Sequence, residues 1–403
     1  MSGKENEALA YSCPSCGGAL RFDPETGKLK CDFCESLFTT EEVEKRFGEK
    51  EATAEASQSE DEMRAYSCST CGAELMTDPN TAVIKCPYCG NNTIATAQFA
   101  GNIRPEFVVP FAFTKKQAME KYKDYHGRGL KKLLLPGSFG SKSHVEEIQG
   151  VYVPFWLFNG KVDIDGTFEA SDSRTQGDYK ITKYYEVKRA GTMDFKRVPA
   201  DASKRMPDDL MDSIEPYDFK ALKPFSMSYL PGFLAERFDV NEADDEARMN
   251  KRVKETIHSM TVKTISHSDV TDRNVNIDVT LGKTEYALLP AWVLTTKWQD
   301  KNWLFAMNGQ TGAFTGDLPI SKGKYVALLL LSFLIFFILG SLIMGATVGA
   351  ILGSVVAIIA GMIAYGGMKP VGEASNADKY MENKINLTVK EEKFLREEKH
   401  KVK

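Results

Sequence analysis

From Tyr325 to Met368 the chain runs for 44 residues without an Asp, Glu, Lys, Arg or His. Such a run has one stable environment, the hydrocarbon of a lipid bilayer. Its most apolar part, Tyr325 to Tyr365, has 41 residues. As one helix this would extend about 61 Å at ~1.5 Å per residue, twice the ~30 Å hydrocarbon core. The sequence therefore predicts a transmembrane hairpin within 325–366, with helices near Tyr325–Met344 and Thr347–Tyr365 and a tight turn at Gly345-Ala346. A re-entrant hairpin, entering and leaving by one face, remains open because the turn is so short and apolar. Lys322 and Lys324 precede the run, Lys369 follows it, and the charged tail 367–403 holds 9 Lys+Arg against 7 Asp+Glu. By the positive-inside rule the protein is expected in the cell membrane, multi-pass with two spans and both termini cytosolic. The polar, acidic stretch Met1 to Ala10 has no signal-peptide pattern, in keeping with that orientation. Gly345, Gly349, Gly353, Ala357 and Gly361 recur every four residues. The stripe suits packing within the hairpin or, through Gly345, Gly349 and Gly353, a homo- or hetero-oligomer. With no ionisable group to line a path, two such spans do not suit a pore or transporter.

All eight cysteines lie between Cys13 and Cys89. They form Cys13-Pro-Ser-Cys16 and Cys31-Asp-Phe-Cys34, then Cys68-Ser-Thr-Cys71 and Cys86-Pro-Tyr-Cys89, so that every cysteine recurs at an offset of 55. Tyr11 and Tyr66, Gly17 and Gly72, Asp23 and Asp78, and Pro24 and Pro79 keep the same register. Two residues between cysteines let both thiolates face one ion, and two such knuckles close a tetrahedron of the structural kind. The expectation is two tandem ribbons, over 1–48 and 66–98, each holding a structural Zn2+ through Cys13, Cys16, Cys31 and Cys34 or through Cys68, Cys71, Cys86 and Cys89. Redox pairs fit the repeated spacing poorly, and a disulfide framework would need an oxidising compartment. A glycine follows the second Cys of three knuckles, and Glu35 departs from that pattern in the fourth. Between the ribbons, 49–65 reads as an acidic linker.

Ribbons of this type occur in nucleic-acid-binding proteins, but charge opposes that use. Residues 1–100 carry 9 Lys+Arg against 17 Asp+Glu, a balance of -8, whereas a nucleic-acid surface needs a basic stripe. Phe22, Phe33 and the tyrosines beside the knuckles are expected to pack around the metal rather than stack on bases.

Residues 99–320 mix helix and strand signals and read as an α+β cytosolic domain. Thr114-Lys-Lys-Gln117 is a capping box opening a helix with Ala118, Met119, Tyr122 and Tyr125 on one face. A second amphipathic helix is expected from Asn241 to His258. Val275, Ile277, Val279 and Leu281 alternate as in a strand, and Trp303–Met307 runs into the hairpin-turn pair Asn308-Gly309. Tyr152-Val-Pro-Phe-Trp156 and Leu289-Pro-Ala-Trp292 resemble each other, which suggests two diverged halves with core tryptophans. No catalytic constellation is apparent, so the chain reads as a non-enzyme. His126, His144, His258 and His267 are scattered, Gly137–Ser143 lacks the lysine placement of a phosphate loop, and Asp163-Ile-Asp165-Gly166 is too short for a calcium loop and suits a strand and its turn. The tail is strand-like at Ile385, Leu387 and Val389, with docking on the domain, the membrane or a partner all open.

The order of two ribbons, a Pro-x-Trp α+β region, Asn308-Gly-Gln-Thr-Gly312, Gly316-Asp-Leu-Pro319 and a C-terminal hairpin resembles the membrane zinc-ribbon proteins of the YdjG-like family of Bacillota. The resemblance implies a place beside phage-shock-protein-A-like and flotillin-like membrane proteins, in membrane-stress response or membrane-protein assembly, and carries no catalytic residues. The expected function is a membrane-anchored zinc-ribbon scaffold that docks protein partners, the alternative a membrane-tethered nucleic-acid-binding ribbon protein.

Overall fold

The computed structural model describes residues 13–18, 20–46, 105–127, 129–137, 139, 148–236, 238–299, 301–366, 368 and 377–401, and the backbone of five short strands between 64 and 98. It begins with strands β1 (Leu20–Asp23), β2 (Lys28–Cys31) and β3 (Leu37–Phe38) and a helix α1 over 40–46. The short strands are β4 (Arg64–Ser67), β5 (Glu74–Thr77), β6 (Ile84–Lys85), β7 (Asn92–Thr93) and β8 (Ala97–Gln98). Strand β9 (Phe107–Val108) leads to helices α2 (Lys115–Gly127) and α3 (Gly129–Leu134) and then to two long strands, β10 (Gln149–Gln176) and β11 (Tyr179–Asp201). Helix α4 (Asp208–Ser213), β12 (Lys223–Pro224) and β13 (Leu234–Glu236) precede helix α5 (Glu242–Val262). Strands β14 (Asp269–Leu281), β15 (Glu285–Trp298), β16 (Lys301–Asn308) and β17 (Phe314–Gly316) are followed by the apolar helices α6 (Lys322–Met344) and α7 (Ala346–Gly366) and by β18 (Met381–Lys401). The chain is a mixed α+β protein with two apolar helices near its C-terminus. Its elements form two compact units, the first from Met1–Pro154, Ser203–Arg237 and Leu288–Glu373, the second from Phe155–Ala202, Phe238–Ala287 and Ala374–Lys403.

In the first unit, α2 starts at the expected capping box. Thr114 N donates to Gln117 Oε1 at 2.8 Å, and Gln117 N donates to Thr114 Oγ1 at 3.4 Å. Helix α2 buries Ala118 and Tyr122, whose ring meets Phe305 edge-on at 5.3 Å. Phe111 stacks on Phe233 at 4.0 Å and meets Trp292 at 5.2 Å, forming an aromatic core with the fully buried Tyr152. Burying side chains of this size contributes roughly 1.5–3 kcal/mol each. Strand β15 pairs antiparallel with β16 from Ala291↔Asn308 to Trp298↔Lys301, and β16 pairs with β17. Asn308-Gly309 does open the β16–β17 connection, but not as a two-residue turn. The loop runs on to Ala313, whose carbonyl accepts from Asn308 N at 2.8 Å.

Helices α6 and α7 approach closely where the small-residue stripe lies. A Cβ on Gly349 would meet Phe337 O at 2.6 Å, one on Gly353 would meet Phe333 O at 2.9 Å, and one on Gly361 would meet Leu329 Cδ2 at 2.9 Å. Gly349 and Gly353 therefore serve packing between these two helices, while Gly345, at φ 92°, ends α6. The outer faces are apolar and bare, with Leu342 and Ile343 each 79% exposed.

The second unit is built on β10 and β11. They pair antiparallel from Phe155↔Asp201 to Gln176↔Tyr179, with β14 along the other edge of β10 and β18 along the other edge of β11. Phe168, Ala170 and Val187 from this sheet form a core with Ile265, against which Val262 of α5 packs. Asp163, Asp165 and Gly166 all lie within β10, opposite Thr192, Ala190 and Arg189. That segment is continuous strand, and the turn expected beside it does not form. The tail pairs back on the unit, with Val389 opposite Ala190 and Leu387 opposite Gly191.

One arrangement occurs in both units. In the first, Trp292 Nε1 donates to Phe113 O at 3.1 Å, the residue before Thr114, which caps α2. In the second, Trp156 Nε1 donates to Val240 O at 3.0 Å, the residue before Asn241 at the start of α5. Phe111 and Phe238, each two residues before those carbonyls, meet their tryptophans at 5.2 Å. Ala112 N donates to Gly309 O at 2.9 Å, and Asp239 N to Ala202 O at 3.0 Å. Both tryptophans are core residues, as their sequence setting predicts.

Candidate metal centre

The N-terminal cysteines are brought together by β1–β3 and two knuckle turns. Gly17 N donates to Cys13 O at 2.8 Å and Glu35 N to Cys31 O at 3.1 Å, so each knuckle folds its pair of thiols inward. Cys13 and Cys31 are buried with Leu20, Leu29 and Val43 in a small core that Phe38 flanks, and Cys16 and Cys34 lie toward solvent. The four sulfurs lie within 4.8 Å of one another, with Cys13 to Cys34 and Cys16 to Cys31 both 3.5 Å apart. Tetrahedral bonds of ~2.3 Å would place sulfurs about 3.8 Å apart, so the cluster fits a single ion with small adjustment. Ser15 N and Phe33 N each donate to a sulfur, Cys13 and Cys31 respectively, at 3.4 Å. Backbone donors of this kind stabilise thiolate charge.

The thiols have unequal proton affinities. Hydrogen bonding to Ser36, by its side chain first and its backbone second, draws Cys34 down to about 6. Although the Gly18 backbone amide lowers Cys16, its thiol neighbours Cys34 and Cys31 outweigh that and push it up to about 12. Crowded thiols that cannot all ionise alone are a donor set a cation completes by replacing the protons.

Glu35 keeps the backbone of the glycine position that it occupies, with φ 58° against 77° for Gly17. Sequence and conformation part here: the side chain differs and the left-handed turn is retained. Phe22 is buried against Tyr229 at 5.4 Å. Phe33 contradicts the expectation of packing around the metal, since it lies over Gly18 yet is 77% exposed.

Cys68, Cys71, Cys86 and Cys89 lie outside the described residues. One hairpin near them repeats the first set, while β5, in the place of β1, pairs with β4 and β13 instead. In β2–β3 the pairs are Leu29↔Phe38 and Lys30↔Leu37; in β6–β7 they are Ile84↔Thr93 and Lys85↔Asn92, an offset of 55 at every position.

The ribbon is seated on its own unit. Phe22 N donates to Pro231 O at 3.0 Å, Ser228 Oγ to Glu44 Oε1 at 3.0 Å, and Gln117 Nε2 to Glu25 Oε1 at 3.4 Å. Glu44 is delivered by α1, which a second capping box opens: Thr39 N donates to Glu42 Oε2 at 2.8 Å and Glu42 N to Thr39 Oγ1 at 3.1 Å. The pattern Thr39-Thr-Glu-Glu42 was legible by the same rule that found the box at Thr114.

The remaining polar candidates serve the fold. His126 Nδ1 lies 2.7 Å from Tyr122 O, and its burial lowers its proton affinity. His258 pairs with Asp272 at 2.9 Å, and His267 with Asp172 at 2.8 Å while stacking on Tyr185. They do not converge, and His144 lies outside the described residues, as does most of Gly137–Ser143. Asn308, fully buried, donates to Ile214 O at 2.9 Å and Pro216 O at 3.3 Å and accepts from Gln310 N and Thr311 N at 2.9 Å. Gln310 grips the backbone of Asp218, accepting from its N at 2.7 Å and donating to its O at 2.8 Å. The motif Asn308–Gly312 is thus a structural fastening.

Among known proteins the chain is similar to the uncharacterized protein YdjG of Bacillus subtilis (strain 168), with 33% identity over 324 residues covering 79% of this chain and 92% of that protein. No protein-family model and no solved structure matches it.

Proposed function

Because the chain belongs to the YdjG-like family of Bacillota, whose relative YdjG carries no activity to transfer, we propose a function from its own residues: a non-enzymatic scaffold in the cell membrane that docks protein partners at the cytosolic face. The observation that carries this reading is the bareness of the apolar helices. Within their most apolar stretches only 6% of α6 and 17% of α7 is buried, whereas a core helix of a water-soluble protein is mostly covered. A bilayer supplies the missing cover, and two spans return both termini to one side.

The four-thiol cluster is read as a structural Zn2+ site, since an all-cysteine tetrahedral set suits Zn2+ and leaves no position for substrate. The β6–β7 hairpin, in register with β2–β3 at an offset of 55, supports a second such ion. The buried polar groups of the motif residues hold backbone, which leaves docking as the role of the exposed surfaces. The partners implied by the family resemblance are phage-shock-protein-A-like and flotillin-like membrane-stress proteins. Phe33, exposed on its knuckle, favours the alternative of nucleic-acid binding, and the acidic balance opposes it.

Crosslinking in intact membranes, followed by partner identification, tests the scaffold reading. A stoichiometric protein partner that is lost in Cys31→Ser is expected. Absence of any such partner in stressed and unstressed cells would remove the reading, and salt-sensitive capture of nucleic acid would replace it with the alternative.

A further inference from the structure

We propose that α3 and the first turn of α6 form a collar that binds anionic phospholipid headgroups through Lys132 and Lys322, with Leu133 inserted at the boundary of the acyl chains; this rests on the reading of α6 and α7 as membrane-embedded. Ser321 N donates to Leu134 O at 2.9 Å, and Lys324 Nζ donates to Leu135 O at 2.8 Å. The last carbonyls of α3, which a helix end leaves without partners, are thereby capped by the start of the apolar helix. Leu318 N donates to Met368 O at 3.1 Å, and Met368 N to Tyr365 O at 3.2 Å, so the end of α7 is tied to the segment leading into α6.

Depth follows from helix geometry. Ser321 precedes Tyr325, where the uncharged run begins, by four residues, about 6 Å at ~1.5 Å per residue. A headgroup layer is roughly 5–7 Å thick on each side of the hydrocarbon, so the C-terminal end of α3 falls within it. At that depth Lys132, Leu133, Lys322, Gly323 and Lys324 are exposed, and of the three lysines Lys324 already holds its ammonium on Leu135 O. Leu133 is 54% exposed, unfavourable in water and suited to the acyl boundary. Lys132 and Lys322 are cations without an ion-pair partner among the described residues. Lysines hold their ammonium groups at phosphate level while the stems cover apolar surface. The occupant this chemistry selects is a phospholipid with net negative charge, since a zwitterionic headgroup offers each lysine no net attraction.

Hydrogen exchange of the full chain in nanodiscs of phosphatidylcholine, with and without phosphatidylglycerol, tests the collar. Near an anionic surface each lysine is worth about fivefold in binding. The amides of 129–135 are expected to exchange roughly tenfold more slowly in the anionic discs. The double variant K132Q/K322Q, which touches no internal contact of the fold, should lose most of that slowing. Equal exchange in both lipids, or undiminished slowing in the double variant, with α6 and α7 protected, would overturn the collar alone. Free exchange along α6 and α7 would overturn their membrane placement and the collar with it.

Discussion

In the first unit the strand carrying Trp292 is surrounded by fastenings: a cysteine ribbon seated through Phe22 and Glu44, the Asn308 loop, and two apolar helices tied at Leu318 and Leu134. In the second unit the strand carrying Trp156 continues into a sheet whose outer strand, β18, is dense in charge and held by ion pairs. Both use an indole N–H to fix the residue before a helix cap. The comparison teaches that one tryptophan-to-helix arrangement can be surrounded by a cysteine cluster and buried amides in one place and by a charged outer strand in another.

The sharpest way to break that comparison is at the residue opposite the one before each tryptophan. Asn308 faces Ala291 in the first unit, and Asp201 faces Phe155 in the second. Asn308 Nδ2 points at two carbonyl oxygens, whereas Asp201 Oδ1 accepts from Arg248 Nη1 at 2.9 Å. Asn308→Asp would bury a carboxylate against two carbonyls and is expected to destabilise by about 3–5 kcal/mol. Asp201→Asn keeps an acceptor and loses its charge, for about 1–2 kcal/mol. Urea midpoints of the detergent-solubilised full chain, with hydrogen exchange to locate each loss, check both values. Equal costs would show that the two positions are not fastened differently.

A smaller effect is expected on acidification of the second unit. Its hydrogen bond with His267 holds Asp172 below the usual carboxylate range, and Arg189 does the same for Glu392 on β18. Because both values are lowered by folding, their contribution is present above the ordinary carboxylate range and fades as pH falls through the lowered values. Both groups are well exposed, so the change is modest. Exchange of β18 amides should rise between about pH 5 and pH 3, and added zinc should not restore it. Restoration by zinc would assign the acid response to the ribbon instead.

Local chemistry was legible in the sequence, and distant pairing was not. The capping box at Thr114, the helix after Asn241 and the two apolar helices follow from neighbouring residues, and the four gathered thiols from two knuckles of short, repeated spacing. Strand β18 follows only in part: Ile385, Leu387 and Val389 read as strand with docking on the domain left open, while the alternating charge of an outer edge strand hides its pairing with β11. The length of β10 was obscured in a similar way. Gly166 inside it suggests a turn, and the glycine before it, Gly160, lies where the backbone of Thr280 approaches too closely for a side chain. The seating of the ribbon on Tyr229 and Ser228 joins residues about two hundred apart, beyond the reach of periodicity or spacing.

Hydrogen exchange of the full chain before and after chelation tests most directly whether metal holds the ribbon to the first unit. Removing the ion should deprotect β1–β3, α1 and the segment 226–233 beneath them, and leave the β14-β10-β11-β18 sheet of the second unit unchanged. Retained protection of the ribbon without metal, or equal loss in both units, would contradict the account.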